Sequence, residues 1–254
     1  MKLMKRFFLL AALAFLLLSQ SGCYSAPRST KTAPPQTVEV LLSPVLTERY
    51  QDNLLSCFQG FDGYIPLIKS TISPHPDLNQ GPALLWWGDP SGYHQLRETS
   101  RSAIPLGSES VVVILNSENG VQSLSQPELE DIFSGRLTSW ENVPESGLTD
   151  SLALYLYPEN HPVQHILRRT LFPDSIPSGR ALIVPHGSRL LETVSQDPPG
   201  IGFHFSSPDE TGVKAAAVQS DNEAWTHPIL FILPQNPQEI HTELVTCLQG
   251  SDPH

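Results

Sequence analysis

Positive charge is what this chain has least of. Its 254 residues hold 15 Lys and Arg against 26 Asp and Glu, a net charge of −11. That balance argues against a nucleic-acid partner, whose phosphates would be repelled over a Debye length. It leaves room for a small anion held by backbone N–H groups in a cleft, where local geometry outweighs net charge. Catalytic signatures are missing as well. There is no Gly-x-Ser-x-Gly elbow, no Cys/His pair at zinc spacing and no phosphate loop, so no catalysis, cofactor or metal is expected. The histidines are scattered; His161 and His165 stand four apart, but no third ligand accompanies them. No internal repeat and no block of like charge occurs. Glycines (16) are fewer than prolines (24), and cysteines number three.

What is present begins with an export signal. Lys2, Lys5 and Arg6 precede an apolar run from Phe7 to Leu18, about a dozen residues, which is signal-peptide length and short for a bilayer span. No other stretch is long and apolar enough to span. Ser19-Gln20-Ser21-Gly22-Cys23 comes next and is similar to a bacterial lipobox, with Gln20 where an aliphatic residue is usual. Cys23 is thus the candidate lipidation site on a membrane-anchored protein; ordinary cleavage nearby and a free secreted protein is the other reading. Loss of residues 1–22, which carry three positive charges and no negative one, takes the net charge from −11 to −14. Residues 23–36 are rich in Ser, Thr, Pro and Lys and read as a flexible tether. Cys57 and Cys247 remain, in an oxidising compartment where they either pair or stay as two buried thiols.

From Thr37 onward the chain alternates short apolar runs with helical patterns. Strands are predicted at Thr37–Leu42, Ala83–Trp87, Val111–Leu115, Leu152–Leu156, Ala181–Val184, Ile201–Phe205 and Ile229–Leu233. Helices are predicted from about Leu46 to Phe58, Val163 to Leu171, Arg189 to Ser195 and Gln238 to Leu248, with Gly60 to Gln80 irregular. Apolar runs without polar alternation, interleaved with helices, indicate an α/β fold with covered sheets. Ser43-Pro44 supplies an N-cap and a first-turn proline. Trp86 and Trp87 face opposite sides of one strand, so one is expected in the core and the other lining a cleft.

The segment around Ile132–Trp140 specifies one short helix and its exit. Ser125-Gln126-Pro127-Glu128 is a capping box, Leu129, Ile132 and Phe133 form the apolar face, Gly135 suits a left-handed stop, and Trp140 anchors the chain as it leaves the helix. Leu124–Val143, LSQPELEDIFSGRLTSWENV, resembles the segment opening the second lobe of phosphate-binding-protein-like solute-binding proteins of phosphate-type ABC importers. Gly187–Phe203, GSRLLETVSQDPPGIGF, and His227–Pro234, HPILFILP, resemble two further stretches of that family in the right order. The resemblance implies a two-lobe periplasmic binding protein type 2 fold. Lobe 1 would be residues 37–117 and 208–254, lobe 2 residues 118–207, and a ligand would sit between them.

The family's phosphate loop aligns with Tyr157-Pro158-Glu159-Asn160-His161-Pro162-Val163. Tyrosine replaces arginine, and proline and valine replace hydrogen-bond donors, so weak phosphate binding is expected. The resemblance places Ser43, Asp89, Tyr157, Asn160, His161, Gly187 and Ser188 at the cleft as candidate ligand contacts, although a plain N-cap is the favoured reading of Ser43 and capping also accounts for Asp89 and the 186–188 turn. It implies a small-molecule or anion ligand, an ABC permease as partner and a location on the extracytoplasmic face of the membrane. A binding or interaction lipoprotein that kept the scaffold without transport is the alternative. The resemblance also returns the closing helix to the first lobe, where Cys57 and Cys247 either meet as a disulfide or lie on separate helix faces.

Overall fold

The protein is described from a computed structural model, which covers residues 34–71, 81–88, 101–173, 176–208, 211–219 and 225–250. The export signal, Cys23 and Asp89 lie outside the described residues. From Pro35 on, the chain forms one compact unit.

Apolar runs become strands buried on both faces. β1 (Gln36–Leu42) is flanked in parallel by β2 (Tyr64–Ser70) and β3 (Ala83–Trp87), and all five residues of β3 are buried. Between β1 and β2, α1 (Pro44–Gln59) buries Leu46, Tyr50, Leu54, Cys57 and Phe58, a stripe at helical spacing. β4 (Ala103–Asn116) is 14 residues long. Its first part pairs antiparallel with β10 (Thr226–Ile232), which in turn pairs with β3; its second part pairs with β8 (Gly200–Phe205) and β9 (Val213–Gln219). β4 therefore runs through both halves of the sheet. The ten-stranded order among the described residues is β2-β1-β3-β10-β4-β8-β6-β7, with β9 bridging β4 and β5 (Ser123–Ser125); β6 is Ala153–Leu156 and β7 is Leu182–Ile183.

The helices of the second half are α2 (Gln126–Ser134), α3 (Pro162–Thr170) and α4 (Gly187–Gln196), and α5 (Glu239–Gly250) closes the chain. α2 starts and stops where its residues dictate. The Ser125 hydroxyl accepts from the Glu128 N–H, Glu128 accepts from the Ser125 N–H at 2.7 Å, and Gly135 ends the helix at φ +79°. Trp140 is fully buried and its Nε1 donates to the Pro199 carbonyl at 2.9 Å, tying the exit of α2 to the turn before β8. α5 packs on α1, and Cys57 and Cys247 form a disulfide with Cα atoms 6.0 Å apart.

Several elements differ from the sequence expectation. β2 falls in the stretch read as irregular, and β5, β9 and the first part of β4 carry no matching apolar run. β2 is an edge strand whose burial alternates, but its exposed positions hold Ile65 and Leu67 and it contains Pro66, so the alternation is not written as apolar against polar residues. The strand expected at Ala181–Val184 is only two residues long. It is the last strand of the sheet order, and Leu182 and Ile183 are about 60% exposed. Trp86 and Trp87 do face opposite sides, but both are buried. Trp87 packs edge-on to Phe205 at 4.9 Å and donates to the Glu109 carbonyl, while Trp86 sits among Leu41, Leu84, Leu230 and Ile232. Neither tryptophan lines the cleft.

Candidate functional site

A cavity of about 410 Å³ opens between the start of α1 and the starts of α3 and α4. Its wall on one side is Pro44, Val45, Glu48 and Arg49; on the other it is Tyr157, His161, His186 and Gly187; the end of β8 and its exit, His204 to Pro208, closes the back. Strand ends and helix N-termini converge here, as expected where α/β sheets bind ligands.

The helix starts are unusually poor in donors. α1 opens on Pro44 and α3 on Pro162, and neither residue has an N–H. α4 opens on Gly187, and its cap is the His186 side chain, whose Nδ1 accepts from the Arg189 N–H at 3.3 Å. The space in front of α4 is taken by a carboxylate. Glu48, from α1, accepts from the Ser188 hydroxyl at 3.0 Å and lies 3.8 Å from His186 Nδ1. This hydrogen bond joins the two walls of the cavity. A side chain at position 187 would put its Cβ 2.8 Å from His204 Nε2 and 3.4 Å from Glu48 Oε2, so glycine is what allows both groups to come so close. His204 Nδ1 lies 3.2 Å from the Ser206 carbonyl. A carbonyl only accepts, so Nδ1 carries the proton. Ser206 itself has φ +62°, a left-handed serine at the edge of the site.

The deep part of the cavity is aromatic. Tyr157 and His161 are buried and stack with ring centroids 3.9 Å apart. His161 is 6% exposed, and its Nδ1 has no hydrogen-bond partner among the described residues. Burial, and next the neighbouring His204, push the His161 pKa down to about 3, so the ring is neutral. Burial raises the pKa of the Tyr157 hydroxyl, and the Glu48 charge adds to the rise. Among the described residues, Arg49 is the one arginine or lysine on the cavity wall, and its guanidinium is paired with Glu109 at 2.5 Å.

The candidate residues read from the sequence separate as follows. Tyr157, His161 and Gly187 line the cavity, and Ser188 reaches it through Glu48. Asn160 is exposed and away from the cavity wall. Ser43 is fully buried and off the cavity; its hydroxyl neither caps α1 nor finds another partner among the described residues. Glu48, Arg49 and His204 were missed, and His186 was read only as part of the 186–188 turn. Glu48 lies four residues after Pro44, hence one turn along the same face of α1.

No family model matches the sequence, and no curated protein matches it. The α/β fold is similar to that of solved substrate-binding proteins of phosphate transport. It is similar to a substrate-binding protein of the phosphate ABC transporter kind from Clostridium perfringens, solved with bound phosphate (TM-score 0.69, 13% identity, 84% of this chain and 92% of that one). It is also similar to an ABC-type phosphate transport receptor from Vibrio cholerae (TM-score 0.61, 14% identity, 84% and 93%). The reduced OxyR regulatory domain from Pseudomonas aeruginosa shares the fold too (TM-score 0.58, 10% identity, 85% and 98%). At these identities the likeness is one of fold, and the fold serves receptors and regulators alike.

Proposed function

We propose that this chain is an extracytoplasmic solute-binding protein, anchored through a lipidated Cys23, that captures a small solute in the cavity between its lobes and delivers it to an ABC-type permease. The observation that carries this reading is the cavity itself. It lies between the opposing helix starts of a binding-protein fold and has a volume typical of small-ligand sites. No catalytic step is part of the reading. The Ser188 hydroxyl lies 2.9 Å from His186 Nδ1, but that hydroxyl is donated to Glu48, and that nitrogen already accepts from the Arg189 N–H. Hydrolysis of common ester substrates should stay at background.

The solute is not phosphate in the family manner. Pro44 and Pro162 withhold N–H donors, Arg49 is committed to Glu109, and Glu48 stands before α4. A unit negative charge about 4 Å from Glu48 meets up to roughly 4 kcal/mol of repulsion at an effective dielectric of about 20, less where water screens it. Calorimetric titration is expected to give a phosphate dissociation constant above about 100 µM, weaker than about −5.5 kcal/mol; submicromolar binding would overturn this account of the cavity. Sulfate, molybdate and organic acids belong in the same titration.

A second reading has the scaffold serving binding or interaction without transport. The bond between Glu48 and Ser188 favours it, because the two walls are already joined by the protein's own groups. A permease and ATPase encoded beside the gene support transport, and their absence supports the second reading. For the anchor, Cys23→Ala should move the protein from the membrane fraction to the soluble one. A wild type already soluble contradicts lipidation.

A further inference from the structure

The cavity that excludes phosphate has the opposite demand. We propose that it takes small cationic solutes bearing N–H donors, simple ammonium compounds of a few carbons, with the Glu48 carboxylate as counter-charge. This rests on the reading of the cavity as the binding site and names the chemical class of its ligand.

Three independent observations carry it. First, the charge on the cavity wall that is not held in a close pair with arginine or lysine is negative. Glu48 accepts from a neutral serine hydroxyl and keeps its formal charge toward the cavity, whereas the wall's arginine is neutralised by Glu109. A carboxylate has about four acceptor positions, so the Ser188 bond leaves Glu48 able to accept from a second donor. Second, His161 is more than nine-tenths buried, lines the cavity, and has a ring nitrogen with no partner among the described residues. Buried polar atoms are rarely left unpaired, and this one lies on the same wall as Tyr157. A neutral imidazole has one donor and one acceptor nitrogen, so the open position marks an unmet polar contact at the cavity and leaves the choice of charge to Glu48. Third, the positions that would feed hydrogen bonds to an anion are blocked by chemistry. Pro44, Pro185 and Pro208 have no N–H, the Arg189 N–H in the first turn of α4 is already taken by His186, and the Ser188 hydroxyl by Glu48. Among the described residues of the wall, the formal charge without an arginine or lysine partner is thus negative, which favours a solute that brings positive charge. The whole chain, at −11, favours the approach of a cation over that of an anion.

Isothermal titration of the full-length protein in mild detergent tests this with four probes: ethanolamine, putrescine, the neutral diol ethylene glycol and inorganic phosphate. Wild type is expected to bind at least one ammonium probe with a submillimolar dissociation constant and to bind neither ethylene glycol nor phosphate at that level. Glu48→Gln keeps an acceptor for Ser188 and removes the charge. It is expected to weaken ammonium binding at least tenfold while its melting temperature stays near that of wild type, since Glu48 is about half-exposed. Ammonium binding that Glu48→Gln leaves unchanged overturns the proposal, as does the absence of binding by both ammonium probes. Phosphate binding tighter than either overturns it too. Binding of ethylene glycol alone, lost when Gly187→Val fills the cavity, would overturn the charge argument while sustaining the cavity as a binding site. The failures of the two readings are thereby told apart.

Discussion

His161 shows how one residue can couple a site to the stability of the fold. Its ring is buried against Tyr157, and burial first, then His204, hold its pKa at about 3, compared with about 6.5 in an unfolded chain. Below pH 6.5 the unfolded chain takes up a proton that the folded chain refuses. The folded state's advantage is therefore complete above pH 6.5 and erodes as the pH falls toward 3, at up to about 1.4 kcal/mol per pH unit. Burial lowers the pKa of His241 as well, so part of the slope belongs to that residue. His161→Gln should flatten the acid limb of unfolding free energy between pH 6 and pH 4, measured by urea denaturation at each pH. An unaltered slope would show that other groups set it.

At the scale of elements, α2 is the clearest case of local sequence deciding local structure. Both hydrogen bonds of its capping box involve residues on the surface, so Ser125→Ala should remove about 1 kcal/mol from unfolding free energy without disturbing the core. Urea titration measures it, and a loss within experimental error would mean that tertiary packing alone holds the helix. The same segment explains what was legible. Ser125, Glu128, Gly135 and Trp140 act within a few residues of one another, and short-range chemistry is written in consecutive letters. β1, β3, β8 and the second part of β4 were legible for a related reason: strands covered on both faces must be apolar throughout. β2, β5 and β9 were not. β2 lies at an edge with half-exposed residues, β5 is three residues long, and β9 alternates between buried and exposed alanines and polar residues, patterns shared with loops. At the site, Tyr157, His161, Gly187 and Ser188 were pointed to by the family resemblance, and the first three line the cavity. Ser43 starts the helix with its backbone as expected, while its side chain is buried off the cavity. Glu48 escaped because its partner is 140 residues away in the chain, and no local pattern announces such a pairing.

For the whole molecule, the dominant constraint is the bond between α1 and α5. Cys57 and Cys247 are 190 residues apart, and the chain-entropy model gives such a loop about 5 kcal/mol of stabilisation as an upper figure. The double substitution Cys57→Ser, Cys247→Ser should lower unfolding free energy by up to that amount, and reductant should bring wild type to the same level. Equal stability with and without reductant would show that packing of α5 on α1 suffices. Because the chain is closed near both ends of the fold, cutting it has unusual results. A protease that nicks any loop between residues 57 and 247 severs the backbone but releases nothing. Both fragments stay on one particle, and on one tether if residue 23 is anchored, until a reducing agent arrives. Limited digestion should therefore give a single band on a non-reducing gel and two on a reducing one. At a cell surface exposed to hydrolases, damage of this kind would change the molecule's integrity without changing where it resides.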